Sequence, residues 1–182
     1  MAEQSLMIPL GTEAPPFALP DVSTGDAVTR ERVAQGRPLL VVFGSRHCPY
    51  MQHCKAELGR IGRDYRERVG MVIIASNDAQ KYPDDRPESL AELVREQAFT
   101  FPILYDESQD VARAYSAMCT PDTFLFDADL HLVYRGQLDG SRPGNDVVSD
   151  GRDIRAALDS LFGSRAVSPE QRPSAGCSIK WR

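Results

Sequence analysis

The chain has 182 residues and a formal charge of −5, from 21 Lys and Arg against 26 Asp and Glu, with 42% hydrophobic and 26% charged residues. These proportions suit one globular domain that buries a core without disulfide staples, and the acidic balance argues against nucleic acid as the main partner. No apolar run reaches the length of a membrane span, and Met1 to Leu10 lack a basic region followed by an apolar one, so a cytoplasmic location is expected.

In chain order, residues 1–16 read as an extended arm punctuated by Pro and Gly. Phe17 to Val22 and Ala27 to Thr29 flank a Thr24-Gly25-Asp26 turn and predict a short hairpin, followed by a short helix that Gly36 ends. Leu39 to Phe43 is a continuous apolar run, the signature of a strand covered on both faces. Met51, Cys54, Leu58, Ile61 and Tyr65 form one apolar stripe at helical spacing. Met71 to Ala75 is a second buried strand, and Asn77 and Asp78 stand at its carboxyl end, where parallel sheets line their ligand crevices. Asp85 with Glu88 predicts a capped helix whose buried face is Leu90, Leu93, Val94 and Ala98. Phe101 to Tyr105 is a third strand, and Ser108 caps a short helix through Tyr115. Thr123 to Phe126 and Leu130 to Leu138 pair across an Asp127-Ala128-Asp129 turn. A loop from Asp139 leads to Asp150, the expected cap of a last helix with face Ile154, Leu158 and Leu161, stopped by Gly163. Alternating strands and helices predict an α/β fold with a mixed central sheet and helices on both faces.

Cys48 lies where the first buried strand hands over to a helix. Free N–H groups and the helix dipole favour thiolate there, and the thiolate is the nucleophile. Cys54 lies six residues on, about 240° around a helix from Cys48, and falls on the apolar stripe, so it is expected to pack in the core. The same divergence counts against His47-Cys48 and His53-Cys54 joining on one copper or zinc ion, so no metal site is expected. His47 is instead expected to tune Cys48.

Several segments carry a family likeness: Leu10 to Pro20; His47-Cys48-Pro49-Tyr50; Thr120-Pro121-Asp122; Tyr134-Arg135-Gly136-Gln137; and Pro173 to Trp181. Together they resemble the thioredoxin superfamily, and most closely its peroxiredoxin-like branch related to alkyl hydroperoxide reductase and thiol-specific antioxidant. The resemblance implies a thioredoxin-like three-layer sandwich with an N-terminal β-hairpin extension. It divides the chain into a domain over 1–163 and a tail over 164–182, docked near the active site. Two departures matter. Met51 holds the place of the second cysteine of Cys-x-x-Cys, so dithiol exchange within the motif is impossible. Ser45 and Val41 stand where peroxiredoxins carry Thr and Pro, and the peroxidatic arginine has only Arg135 and Arg142 as candidates, which counts against efficient peroxide reduction.

The resemblance implies a thiol-dependent oxidoreductase with Cys48 as nucleophile, acting by disulfide exchange or peroxide reduction. The second thiol comes from outside the motif, with Cys177 and Cys119 as the candidates. Ser45 joins the catalytic set, and His47, Pro49, Thr120 and Pro121 form the substrate-binding set, Thr120-Pro121 being implied as a cis-proline loop that pairs with a substrate strand. Expected partners are a protein disulfide or a peroxide as substrate and an external dithiol reductant such as a thioredoxin. Neither nucleic acid nor membrane is expected, a homodimer fits the pattern, and no cofactor is required. A redox sensor without turnover and, below it, a copper or zinc carrier are the alternatives.

Overall fold

The computed structural model describes residues 2–182. Its centre is a five-stranded sheet in the order β6-β5-β4-β8-β9. Strands β4 (Leu39–Phe43), β5 (Gly70–Ala75) and β6 (Ile103–Tyr105) run parallel, and β8 (Asp122–Phe126) and β9 (Leu132–Arg135) continue the sheet antiparallel. Side chains alternate across a strand, so β4 serves two cores. Leu40 and Val42 pack with helices α2 (Pro49–Asp64), α3 (Pro87–Gln97) and α5 (Arg152–Phe162). Leu39, Val41 and Phe43 pack on the other side with α1 (Arg30–Ala34) and α4 (Asp110–Ala114). The continuous apolar run of β4 thus reflects burial on both faces. The expected mixed sheet between helical layers is present, and β2 (Ala18–Pro20) and β3 (Ala27–Thr29) pair as the predicted hairpin.

A second sheet lies outside the sequence expectations. Strand β1 (Ala2–Gln4), in the arm read as extended, pairs with β10 (Ala175–Ser178), and β10 pairs with β7 (Cys119–Thr120). Both pairings are antiparallel; the first joins the two ends of the chain and the second lays the tail beside residues 119–120. Short segments of this kind carry little periodicity, so only their partners reveal them as strands.

Three helix starts differ from the sequence reading. Arg86, not Asp85, is the N-cap of α3, because Pro87 at the first helical position needs no N–H partner and Asp85 turns inward from a 3₁₀ turn over Pro83–Asp85. Gly151, not Asp150, precedes α5, with Asp139 accepting from the N–H groups of Asp150 and Gly151 at 2.9 and 2.7 Å. Gln109, not Ser108, precedes α4. The Asp85 carboxylate is drawn off by partners that the tertiary fold brings to it, whereas the Asp150 carboxylate stays local and accepts from the Arg152 N–H at 3.1 Å.

Beneath the second sheet, Arg135 and Asp122 are both fully buried and paired. Asp122 also accepts from Ser5 Oγ at 2.6 Å and from the Met118 N–H at 2.9 Å, and the Arg135 guanidinium lies 3.8 Å from the centre of the Phe124 ring. Removing one member of such a pair strands a buried charge. Asp122→Ala is therefore expected to destabilise the fold by about 3–5 kcal/mol in urea unfolding, and a loss below about 1 kcal/mol would mean that water or rearrangement relieves Arg135.

Candidate active site

Cys48 is the N-cap of α2, with extended backbone (φ −70°, ψ 123°), and is completely buried. Pro49 occupies the first helical position, where a missing N–H costs nothing. The Cys48 thiol donates to the carbonyl oxygen of Thr120 at 3.0 Å. Thr120 precedes Pro121 through a cis peptide bond. The helix start and the Thr120-Pro121 loop therefore meet at the sulfur.

The tail completes the site. In the β10–β7 register Cys177 stands opposite Thr120 and Ser178 opposite Cys119. This register puts Cys177 beside the residue whose carbonyl accepts from Cys48, and the two thiols are close enough for Cys48 to act directly on Cys177. Burial, and then Cys48 itself, pushes the Cys177 thiol up to about 11, while Lys180 and the Tyr50 backbone act in the opposite direction. The approach is close enough to require a glycine: a Cβ on Gly176 would lie 2.1 Å from the Thr120 carbonyl oxygen. Beyond β10, Ile179 is 3% exposed and donates its N–H to Met118 O at 3.0 Å. Lys180 N–H donates to Asn77 Oδ1 at 2.8 Å, and Lys180 O accepts from the Asp78 N–H and the Gln109 amide at 2.8 and 2.9 Å.

The other cysteines are set differently. The Cys119 thiol is fully buried, and burial, with Asp122 next, raises its pKa strongly. Asp122, Arg135 and Ser5 act on it most and Cys48 less, so it lies beside the buried ion pair with Cys48 also near. Cys54 lies in the core, also raised strongly by burial, with Asp139 and Cys48 adding to the effect.

Ser45, His47 and Arg46 converge on a residue that the sequence reading treated only as a helix cap. The carboxylate of Asp85 is fully buried and accepts from Ser45 Oγ at 2.9 Å, the Arg46 N–H at 2.6 Å, His47 Nδ1 at 2.7 Å and Asn77 Nδ2 at 2.8 Å. Burial alone would raise its pKa, but the hydrogen bonds and charge supplied by His47, Asn77 and Ser45 prevail and hold it below the usual carboxylate range. The His47 ring also stacks on Tyr82, centres 4.9 Å apart. Ser45 thus donates to Asp85 rather than to the sulfur, because an ionised carboxylate is the stronger acceptor. The only hint of this role in the sequence is the Pro-Asp-Asp turn facing a polar Ser-Arg-His stretch.

Neither candidate arginine reaches Cys48. Arg135 is spent on Asp122, and Arg142 donates to Gln137 Oε1, Asp139 O and Ser141 O at 2.5, 2.8 and 2.7 Å. His53 pairs with Ser141 Oγ at 2.6 Å, away from His47. Among the described residues no three His, Cys, Asp or Glu side chains are grouped to hold a metal ion.

The AhpC/TSA family model matches residues 10–135, more than half of the chain. The chain belongs to the AhpC/TSA family. It is a peroxiredoxin-like member of the thioredoxin superfamily. The fold matches an uncharacterized conserved protein from Geobacillus kaustophilus at 49% identity and TM-score 0.97, covering 100% of this chain and 97% of that one. A secreted disulfide oxidoreductase of Mycobacterium tuberculosis, described as homologous to E. coli DsbE, shares the fold at 17% identity and TM-score 0.61, over 80% of this chain and 96% of that one. A thiol:disulfide interchange protein DsbE from Allochromatium vinosum is 31% identical over 116 residues, which is 64% of this chain and 60% of that protein. The match thus spans less than two thirds of the curated relative. These relatives overturn the expectation of a cytoplasmic location: a DsbE and a secreted oxidoreductase stand among them, and an N-terminus without a leader pattern does not assign the compartment.

Two outcomes test the site. Gly176→Ala forces β10 off Thr120, so the Ile179 amide is expected to exchange with solvent at least about tenfold faster; unchanged protection would show that the strand accommodates a Cβ. Asp85 has a folded pKa below its unfolded value of about 4, so its stabilisation is complete above that value and is lost as pH falls through the depressed folded value. Asp85→Asn is expected to flatten this acid limb of the stability–pH curve, and a limb of unchanged steepness would place the loss elsewhere.

Proposed function

We propose that this protein is a thiol–disulfide oxidoreductase that cycles between a Cys48/Cys177 dithiol and a Cys48–Cys177 disulfide. The observation that carries this reading is the pairing of Cys177 with Thr120, whose carbonyl accepts from Cys48, so that both thiols belong to one junction. The Cys48 thiolate attacks a sulfur of a partner disulfide and releases one partner thiolate, forming a mixed disulfide. The Cys177 thiolate then attacks the Cys48 sulfur and releases the second. The partner disulfide gains two electrons and two protons in all, and the enzyme loses them. An external dithiol, such as a thioredoxin, runs the same exchange on the enzyme disulfide and restores the thiols. Thr120 and Pro121 line the exchange site with Pro49, and His47 flanks it.

Disulfide exchange is favoured over peroxide reduction because the arginines that would polarise a peroxide are held elsewhere, Arg135 by Asp122 and Arg142 by the 137–141 loop. The name of the curated relative, a thiol:disulfide interchange protein, points the same way. Cys177 is favoured over Cys119 as the second thiol because Cys48 is the foremost neighbour acting on Cys177, whereas Asp122 and Arg135 act on Cys119 ahead of Cys48.

The test is a disulfide map by mass spectrometry after reduced protein meets one equivalent of a small disulfide. A Cys48–Cys177 cross-link, loss of turnover in Cys48→Ser and a trapped mixed disulfide in Cys177→Ser are expected. A cross-link to Cys119, or full turnover in Cys48→Ser, overturns the reading. Oxidation that no dithiol reverses would make the protein a one-time sensor instead.

A further inference from the structure

Three segments that must cooperate in this exchange are far apart in sequence: the loop before Cys48, the 3₁₀ turn over Pro83–Asp85, and the tail. A single buried carboxylate links them. Asp85 accepts from Ser45 Oγ, the Arg46 N–H and His47 Nδ1 on the loop side. It also accepts from Asn77 Nδ2 at 2.8 Å, and the other end of that amide, Asn77 Oδ1, accepts from the Lys180 N–H at 2.8 Å. Lys180 lies three residues beyond Cys177. The relay therefore runs from the residues preceding the nucleophile, through one carboxylate and one amide, to the backbone that carries the second thiol. The amide orientation is fixed by its partners: Nδ2 must face the carboxylate and Oδ1 the Lys180 N–H, since the reverse would oppose like groups at both ends.

We propose that Asp85 is a positioning residue that ties the Ser45-Arg46-His47 loop to the tail through Asn77, so that Cys48 and Cys177 are held for sequential attack. This rests on the Cys48/Cys177 reading. It assigns Asp85 to both steps and Asn77 to the second. A shift of about 1 Å in a reacting group can cost up to a hundredfold in rate, so loss of either link is expected to be visible in kinetics before it is visible in folding.

The two steps can be timed separately with 5,5′-dithiobis(2-nitrobenzoate), a small aryl disulfide. Attack by Cys48 releases one thionitrobenzoate and leaves the other on its sulfur. Attack by Cys177 on that sulfur releases the second and leaves the internal disulfide. In wild-type protein two releases are expected, and in Cys177→Ser only the first. If wild type lacks a second release faster than that of Cys177→Ser, the underlying function fails. If wild type shows both releases, the variants test the relay. Asp85→Asn is expected to slow both releases by about tenfold or more, as expected for hydrogen bonds lost to a charged group. Asn77→Ala is expected to slow the second release at least about fivefold more than the first, because its link is to the tail. An Asn77→Ala protein with an unchanged ratio of the two rates overturns the proposal, whatever its melting temperature. Should Asp85→Asn fail to fold, the rate ratio in Asn77→Ala decides alone.

Discussion

The structure depends on the pairing of a tail strand with a two-residue strand beside Cys48. Cys177 lies opposite Thr120, and Thr120 is the acceptor of the Cys48 thiol. Backbone pairing of this kind fixes register, and a slip of one residue would turn Cys177 to the other face. Gly176 enforces the register from the other direction, since the Thr120 carbonyl leaves no room for a side chain there. Ile179, buried in the second core, anchors the strand on its far side. The tail is thus integral to the cysteine site, and the N-terminal arm is tied in with it, because β1 covers the outer edge of β10.

Two buried acids frame this arrangement in different ways. Asp122, on the residue after the cis-proline, is matched by a full guanidinium, and the pair with Arg135 fills the space under β7 and β10. Asp85 has no buried cation of equal strength and is instead surrounded by hydroxyl, amide, imidazole and backbone donors. A buried charge persists only when paired or richly hydrogen-bonded, and the two sites show both solutions at positions far from Cys48 along the chain. One consequence is chemical. The arginine that could have assisted a peroxide is committed to the fold, and the serine that could have steadied the sulfur is committed to Asp85. Family membership therefore carries over the fold, while both of these side chains are held in structural roles.

The sequence by itself determined the frame. Continuous apolar runs at Leu39–Phe43 and Gly70–Ala75 demand burial on two faces, and the stripe from Met51 to Ile61 demands one helix packed on that sheet. Cys48 at the strand-to-helix junction is legible because local periodicity changes there, and Met51 in the partner position excludes a dithiol within the motif. Only the tertiary structure decides which of the other cysteines neighbours Cys48 most closely. Cys177 and Cys119 were both candidates in the sequence, Cys177 slightly ahead, and the difference in their foremost neighbours, Cys48 for Cys177 and the Asp122–Arg135 pair for Cys119, follows from strand register, which has no local signature in segments of two and four residues. Asp85 was misread for the same reason. Its capping pattern is a local signal, whereas its real donors, Ser45, Arg46, His47 and Asn77, are brought to it from 8 to 40 residues away by the packing of loops at the carboxyl ends of the strands.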